Sequence, residues 1–137
     1  MKIKIIEFNP SFYFPERAHY NDAGADVRVM DNYLLAPHQT IKIPLGFGIK
    51  LPDGYQCYVC PRSGLSSKGI ISQIPPIDSG YTGEIHAIVT NTTNEDYRIT
   101  RGDKIAQLVV TPIILCDYVQ ELGDERGANG FGSTDKR

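Results

Sequence analysis

Two segments near the middle of the chain combine residue types that could act on a phosphate ester. In Pro61-Arg62-Ser63-Gly64, a guanidinium and a hydroxyl precede residues 64–68, a predicted short helix with Ser63 as its N-cap. Free N–H groups at a helix start can bind phosphate, and a guanidinium can bind it bidentately. Asp78 enters a glycine turn, where a fixed carboxylate could activate water, although aspartate in a turn is more often structural.

Three further residues each have a structural and a functional interpretation. Tyr81 could be a core aromatic or the floor of a small pocket. Asp26 follows the small residues 23–25, which would let a ligand or another backbone approach, or it could form an Asx turn. Gln107 is the one amide in an apolar strand, where a lone amide usually faces solvent or bonds neighbouring backbone.

The C-terminal residues 126–137 place one aromatic side chain among glycines and hydroxyls. Glycine loses the most backbone freedom on ordering, so we expect a mobile tail. Phe131 could stack on a flat base, Arg126 could bind phosphate, and Ser133, Thr134 and the N–H of Gly132 could donate hydrogen bonds. A solvated tail is the plainer interpretation, but the four upstream segments favour the same anionic, flat ligand.

Composition limits the classes of protein and partner. A chain of 137 residues with 41% hydrophobic and 22% charged residues suits one globular domain. The net charge of −2 argues against direct nucleic-acid binding and against an anionic membrane surface. No apolar run approaches the roughly 20 residues of a membrane span, and the N-terminus lacks a signal-peptide pattern. An odd count of three cysteines favours the reducing cytoplasm.

Cys57 and Cys60 form a CxxC, a spacing often found in metal and redox sites. They lie in a predicted strand, where residues three apart point to opposite faces. Because zinc or a disulfide would need both sulfurs together, we expect two ordinary thiols.

The hydrophobic pattern predicts an all-β fold. Apolar residues alternate strictly through residues 41–51, which predicts a strand. Other segments rich in Ile, Val, Tyr and Thr predict strands at residues 2–8, 55–60, 84–91 and 104–113. Turn signals separate them at short intervals, and no internal repeat or linker divides the chain. Many short strands with hardly any helix predict an antiparallel jelly roll or distorted barrel with one short helix.

The chain resembles the trimeric dUTPase family. Five motifs of that family occur in order: AGADV, PRSGLSSKG, PIDSGYTGEI, RGDKIAQLVV and RGANGFGST. They extend from position 23 to position 134. The resemblance implies a homotrimer of jelly-roll subunits that hydrolyses dUTP to dUMP and pyrophosphate with magnesium, limiting uracil in DNA and supplying dUMP for dTMP synthesis.

The resemblance also implies how the chain is divided. Residues 1–122 would form the β domain, and residues 123–137 would form a flexible arm that closes over a site built mainly by other subunits.

Roles for single residues follow from the same resemblance. Asp78 matches the aspartate that deprotonates the attacking water, and Tyr81 matches the tyrosine beneath the deoxyribose. Asp26 matches an aspartate that reaches magnesium through water. The residues expected to bind phosphate are Arg62, Ser63, Gly64 and Gln107. Those expected to contact uracil are Gln73 and Ile77. The arm is expected to contact the substrate through Arg126, Phe131, Gly132, Ser133 and Thr134.

The chain departs from the family pattern at three places. Gly80 stands where many members have an acidic residue. The hairpin that reads uracil is short, and Pro75-Pro76 replaces its usual glycine, which removes N–H donors. Asn129 takes a glycine position in the arm, where asparagine tolerates a left-handed backbone.

Two other functions remain open at this point. A related enzyme class on the same fold deaminates dCTP with a glutamate near the pyrimidine ring, and Glu84 is the only glutamate close to the third motif. Strand alternation from Ile85 gives no reason to point Glu84 inward. The other alternative is a non-catalytic protein that senses nucleotide and signals through the ordering of its arm; a protein partner for it cannot be read from the sequence.

Overall fold

The computed structural model describes residues 1–123, which form ten strands and one short helix. All strands are between three and nine residues long. Their bounds are β1 Lys4–Glu7, β2 Ala25–Arg28, β3 Tyr33–Leu35, β4 Thr40–Pro44, β5 Phe47–Lys50, β6 Tyr55–Cys60, α1 Ser63–Ser66, β7 Ile70–Gln73, β8 His86–Asn91, β9 Tyr97–Ile99 and β10 Lys104–Pro112. The predicted all-β class with one short helix is confirmed.

The described strands pair in four small antiparallel sheets. Two sheets have three strands each, in the orders β2-β10-β6 and β4-β8-β7, and two are pairs, β1-β5 and β3-β9. The hydrogen-bonded pairs within residues 1–123 do not close into a continuous barrel. The core lies between the sheets, and its largest fully buried side chains include Phe47, Leu35, Ile43, Leu45 and Ile85.

The alternating run at residues 41–51 is two strands rather than the single strand predicted. Its apolar residues from Ile43 to Leu51 are buried, so the alternation is real. The backbone turns at Gly46, whose φ of +82° disfavours any other residue. The turn lets β4 pair with β8 while β5 pairs with β1. Alternation records which face is buried, and it does not record which strand lies alongside.

Four short strands, β2, β3, β7 and β9, were absent from the sequence prediction. The correction matters most at Asp26, which lies in β2 and does not form the Asx turn considered above. Asp26 exchanges backbone hydrogen bonds with Glu16, at 2.8 and 3.1 Å, and stands opposite Gln107 of β10. Strands this short form because partners distant in the sequence pair with them, and local propensity does not reveal those partners.

The packed body ends with β10 at Pro112. Beyond it, Ile113 donates a backbone hydrogen bond to Gly54, and residues 114–123 are exposed and belong to no strand. The boundary between domain and arm at residue 123 therefore stays a prediction. Within residues 1–123, no helix has the length and apolar character needed to cross a membrane.

The two cysteines of the CxxC lie on opposite faces of β6, as predicted. Cys57 is buried in the core, Cys60 is half-buried, and both thiols are free. Burial raises the pKa of Cys57 to about 11, and the neighbouring Cys60 adds to the rise. Burial also raises the pKa of Cys60.

We expect the Cys57 thiol to be unreactive in the folded protein, because the thiolate is the reactive form. A maleimide at about pH 8 should modify Cys57 only after unfolding in urea. A folded-state pKa raised to about 11 means that this group's contribution to stability is lost as the pH rises toward that value. Peptide mapping after labelling tests the first point, and labelling of Cys57 in the folded protein would contradict it. Urea unfolding of the parent and Cys57→Ala across alkaline pH tests the second, and an equal pH dependence of the two proteins would contradict it.

Candidate active site

Residues 73–86 supply most of the wall of an open cavity of about 240 Å³. Four predicted site residues line it together: Gln73, Ile77, Asp78 and Tyr81. The rest of the lining comes from Lys42, Val59, Pro75, Pro76, Glu84, Ile85 and His86. The structure thus gathers the proposed catalytic carboxylate, the sugar-contacting ring and the two hairpin residues around one space.

The backbone on both sides of Asp78 is fixed. Ile77 donates to the carbonyl of Cys57 at 2.7 Å and accepts from its N–H at 3.1 Å, which ties the segment to β6. Tyr81 donates its N–H to the Asp78 carbonyl at 3.0 Å and closes a turn. Within residues 1–123 no donor bonds the Asp78 carboxylate, which is exposed at the cavity wall. Its lone pairs can therefore accept a proton from water.

Tyr81 is held at both ends of its side chain. Its backbone belongs to the turn with Asp78, and its hydroxyl donates to the carbonyl oxygen of Glu84 at 2.7 Å. The residue is nevertheless 46% exposed. A fixed aromatic surface that still faces solvent is suited to pack against a ligand, and Tyr81 is not the core aromatic that the sequence also allowed.

A second cluster is built around Asp26. The Nε of Arg62 lies 3.3 Å from one carboxylate oxygen, and the Nζ of Lys104 lies 3.2 Å from the other. The Asp26 side chain is 13% exposed, whereas its two partners are about a third exposed. One carboxylate thus aligns two cations whose outer sides remain open to an anion.

The register of β10 explains why these charges meet. Lys104 stands opposite Arg28, Ala106 stands opposite Val27, and Ile105 is the extra residue of a bulge. Residues three apart in a regular strand face opposite sides, but the bulge puts Lys104 and Gln107 on the side that carries Arg28 and Asp26. The bulge therefore brings onto one face side chains that regular alternation would place on opposite faces.

Gln107 connects this face to the motif of Arg62. Its side-chain amide donates to the carbonyl of Pro61 at 3.0 Å. Gly24 makes room for it, because a Cβ at Gly24 would overlap the Gln107 Oε1. The structure therefore places Gln107 beside the cation cluster and gives its amide N–H a backbone partner. A contact from Gln107 to phosphate stays a prediction.

The helix α1 differs from the prediction by one position at its start. Ser63 is its first residue, Arg62 is the N-cap, and no side chain caps it. Ser63 and Gly64 are exposed at the helix start, and the Ser63 hydroxyl does not cap the helix. Arg62, and not Ser63, is the N-cap because its carbonyl accepts the first helical hydrogen bond, from Ser66 at 3.0 Å.

The residues present suit a magnesium ion only if a ligand's phosphates supply most of its contacts. Magnesium prefers oxygen ligands and keeps several waters. In the described part of the chain no three His, Cys, Asp or Glu side chains lie close enough together to hold a metal. Asp26 offers one carboxylate already faced by two cations. These residues fit an ion bound mainly to a ligand's phosphates and reached by Asp26 through water.

The cavity and the cation cluster do not share a lining residue. The recesses beside the cluster have about 140 and 390 Å³ and are lined by Asp26, Arg28, Arg62, Gly64, Lys68 and Lys104, among others. None of these residues lines the cavity at Asp78. One chain therefore presents two separate halves of the predicted site.

Several lining residues were not found from the sequence. Arg28 and Lys104 join the cluster, and Lys42 and His86 line the cavity. Lys104 lies inside the fourth motif, RGDKIAQLVV, so that motif could have identified it as a site residue. Lys42 and His86 carried no signal, because only the pairing of β4 with β8 brings them to the same end of the sheet.

The predicted arm residues Arg126, Phe131, Gly132, Ser133 and Thr134 lie outside the described residues, and their roles stay predictions.

Comparisons with known proteins agree with these motifs. The family model for dUTPase matches residues 11–135. The chain belongs to the dUTPase family. It is 40% identical to a deoxyuridine 5'-triphosphate nucleotidohydrolase from Zymomonas mobilis, over 98% of this chain and 96% of that protein. It is 38% identical to the enzyme of the same name from Thermobifida fusca, over 98% of this chain and 79% of that one.

Solved dUTPase structures have the same fold. A mutant dUTPase from phage phi11 of S. aureus, which reveals the coordination of a structural Mg(II) ion, matches with a TM-score of 0.85 and 26% identity over 91% of this chain and 99% of that one. A mutant dUTPase of Staphylococcus bacteriophage 80alpha with dUpNHpp matches with a TM-score of 0.85 and 27% identity, over 97% and 98% of the two chains.

Removing the carboxylate of Asp26 should destabilise this dUTPase family member. Asp26→Ala leaves Arg62 and Lys104 facing each other without the group between them. We expect the free energy of unfolding to fall by about 1–3 kcal/mol, measured by urea denaturation. Asp96→Ala, at an exposed site, is the control and should change stability little. Equal stability of the two variants would mean that Asp26 does not organise the cluster.

Proposed function

We propose that this protein hydrolyses dUTP to dUMP and pyrophosphate. The observation that carries the proposal is the cavity in which the open carboxylate of Asp78 stands beside the exposed ring of Tyr81. Family membership supports the same reaction, since the relatives are nucleotidohydrolases of deoxyuridine 5'-triphosphate.

In the proposed reaction, Asp78 orients a water molecule and accepts its proton. The water oxygen forms a bond to the α-phosphorus, and the bond from that phosphorus to the bridging oxygen of the β-phosphate breaks. The products are dUMP and pyrophosphate. The Asp78 carboxylate has no donor among residues 1–123, and its backbone is held by the bonds of Ile77 and Tyr81. It is suited to this role, because a general base must be held within hydrogen-bond reach of its water.

The rest of the cavity would hold the nucleoside. The ring of Tyr81 would lie beneath the deoxyribose and exclude a 2′-hydroxyl. Gln73 and Ile77 would contact uracil, but Ile77 already uses its backbone N–H and carbonyl on Cys57. With prolines at 75 and 76, few hairpin backbone donors remain, which favours the Gln73 amide as the polar contact to the base.

The phosphates would occupy the face of the cation cluster. Arg62, Ser63 and Gly64 would bind phosphate oxygens, with Gln107 alongside. Bound magnesium would neutralise phosphate charge, and Asp26 would meet its water shell. The arm residues would complete the site, with Phe131 stacked on uracil and Arg126 on phosphate.

We also propose that the active unit is a homotrimer, because neither half of the site is sufficient alone. Lys42 is a cation at the wall of the Asp78 cavity, but the paired cations Arg62 and Lys104 open elsewhere on the same chain. A triphosphate at Asp78 would therefore reach that pair only on another subunit. Cyclic assembly would set the cluster of one subunit beside the cavity of the next and form three equal sites.

An exposed apolar segment also supports assembly. Ile114, Leu115, Tyr118, Val119 and Leu122 are each at least 78% exposed. The same chain carries an apolar groove of about 430 Å³ lined by residues such as Ile3, Ile5, Phe14 and Val110. Exposed apolar surfaces of this kind mark contacts between proteins, so the segment is suited to pack on a neighbouring subunit.

The alternative of dCTP deamination is not favoured by the position of Glu84. Glu84 lies before β8 and lines the cavity, contrary to the expectation from alternation. Its carboxylate, however, accepts the backbone N–H of Gly46 at 3.0 Å. A group engaged in holding a turn is poorly suited to shuttle protons, and ammonia release from dCTP would distinguish the two reactions.

In a cell the reaction would limit uracil in DNA and supply dUMP for dTMP synthesis. The free thiols of Cys57, Cys60 and Cys116 fit a reducing compartment, so we place the reaction in the cytoplasm.

Turnover and its dependence on Asp78 test the reaction directly. The parent should release pyrophosphate from dUTP, in a magnesium-dependent way, far faster than from dTTP, dCTP or UTP. Asp78→Asn keeps the shape but cannot take the proton, so turnover should fall by ~10²–10⁴ with nucleotide binding retained. Asp96→Asn serves as a control with parental turnover. Near-native hydrolysis by Asp78→Asn would show that another group activates the water.

Mixing inactive subunits tests the shared site. Asp78→Asn lacks the base and Arg62→Ala lacks the phosphate cation, so each alone should be inactive. If one site takes these residues from different subunits, co-refolding equal amounts should restore roughly a quarter of parental activity. Mixing Asp78→Asn with Tyr81→Ala, two residues of one cavity, should give no more activity than the two variants contribute separately. Absence of recovery in the first mixture, with trimers verified by light scattering, would contradict the shared site.

A further inference from the structure

The ring of Tyr81 lies directly against the backbone of Gly83. A Cβ atom at position 83 would be 2.7 Å from the Tyr81 hydroxyl oxygen, 2.8 Å from Cζ and 3.0 Å from Cε1. Real Cβ atoms essentially never make such short contacts. The ring can keep its position only while residue 83 has no side chain.

The loop beneath the ring is bonded to the turn between β4 and β5. The Tyr81 hydroxyl donates to the carbonyl of Glu84 at 2.7 Å, and the Glu84 carboxylate accepts from the N–H of Gly46 at 3.0 Å. The same residue therefore holds the ring through its backbone and the turn through its side chain.

Strand β5 prevents this loop from moving away from the ring. Ile85 donates to the carbonyl of Phe47 at 2.8 Å and accepts from the N–H of Leu45 at 2.9 Å. Gly48 approaches so closely that a Cβ there would lie 2.5 Å from the carbonyl oxygen of Gly83. With the backbone fixed from behind, a side chain at position 83 would displace the ring instead.

We propose that Gly83 is a positioning residue that sets the selectivity for deoxyribose over ribose. This inference rests on the proposed function of the cavity. A site excludes one added hydroxyl only weakly unless a fixed group fills its place. Gly83 and the carbonyl of Glu84 hold the ring in place, and the Glu84 carboxylate holds that loop on Gly46. The residues beneath the ring therefore help to set the space left for a 2′-hydroxyl.

The test compares Gly83→Ala with the parent, with kcat/KM for dUTP divided by kcat/KM for UTP as the readout. We expect this ratio to fall roughly ten-fold or more, toward the value of Tyr81→Ala. Gly80→Ala is the matched control, because a Cβ at Gly80 in the same loop meets nothing within 4 Å. That variant should keep the parental ratio.

A double variant separates positioning from a general disturbance of the fold. If Gly83 acts through the ring, Gly83→Ala in a Tyr81→Ala background should cause no further fall in the ratio. Parental selectivity in Gly83→Ala, or additive effects in the double variant, would overturn the proposal.

A second pair of variants keeps the test decisive if Gly83→Ala does not fold. Glu84→Ala removes the bond to Gly46 and should lower the ratio, whereas Glu84→Gln retains an acceptor and should preserve most of it. An unchanged ratio in Glu84→Ala would also overturn the proposal. A parent that does not hydrolyse dUTP would instead refute the proposed function itself.

Discussion

The bulge of β10 at Ile105 is the constraint on which the cation cluster around Asp26 depends. Strand β10 lies between β2 and β6, so its register decides which residues of three distant motifs meet. The extra residue turns Lys104 to the face that already carries Asp26, and Asp26 then aligns Arg62 at the end of β6. Because side chains alternate with a period of two, a slip of one residue would separate these charges.

The cavity at Asp78 is positioned in a different way, by a loop whose backbone is hydrogen-bonded at Ile77, Tyr81 and Ile85. Ile77 is tied to β6, Tyr81 closes a turn on Asp78, and Ile85 is bonded on both sides to the turn between β4 and β5. These bonds hold the ring and the carboxylate at fixed positions without burying them. Rigidity of this kind is what a group that selects a sugar or orients water requires.

The separation of the two halves connects folding to assembly. On a single chain the cavity at Asp78, proposed for the nucleoside, and the cation cluster, proposed for the phosphates, open at different places. The apolar residues beyond Pro112 also find no cover on their own chain within residues 1–123. Both features support the proposed homotrimer, in which the chemistry would depend on the quaternary structure.

The sequence by itself determined the family and the all-β class, because ordered motifs and a two-residue period are local properties. The roles of the site residues stay predictions. The sequence also predicted correctly that Cys57 and Cys60 face opposite ways. It could not show the turn at Gly46, the strand around Asp26 or the start of α1 at Ser63. The start of α1 follows from a local hydrogen bond, from Ser66 to the carbonyl of Arg62. The turn, the strand and the meeting of Asp26 with Lys104 were decided by hydrogen bonds and ion pairs between segments far apart in the chain, which no local pattern encodes.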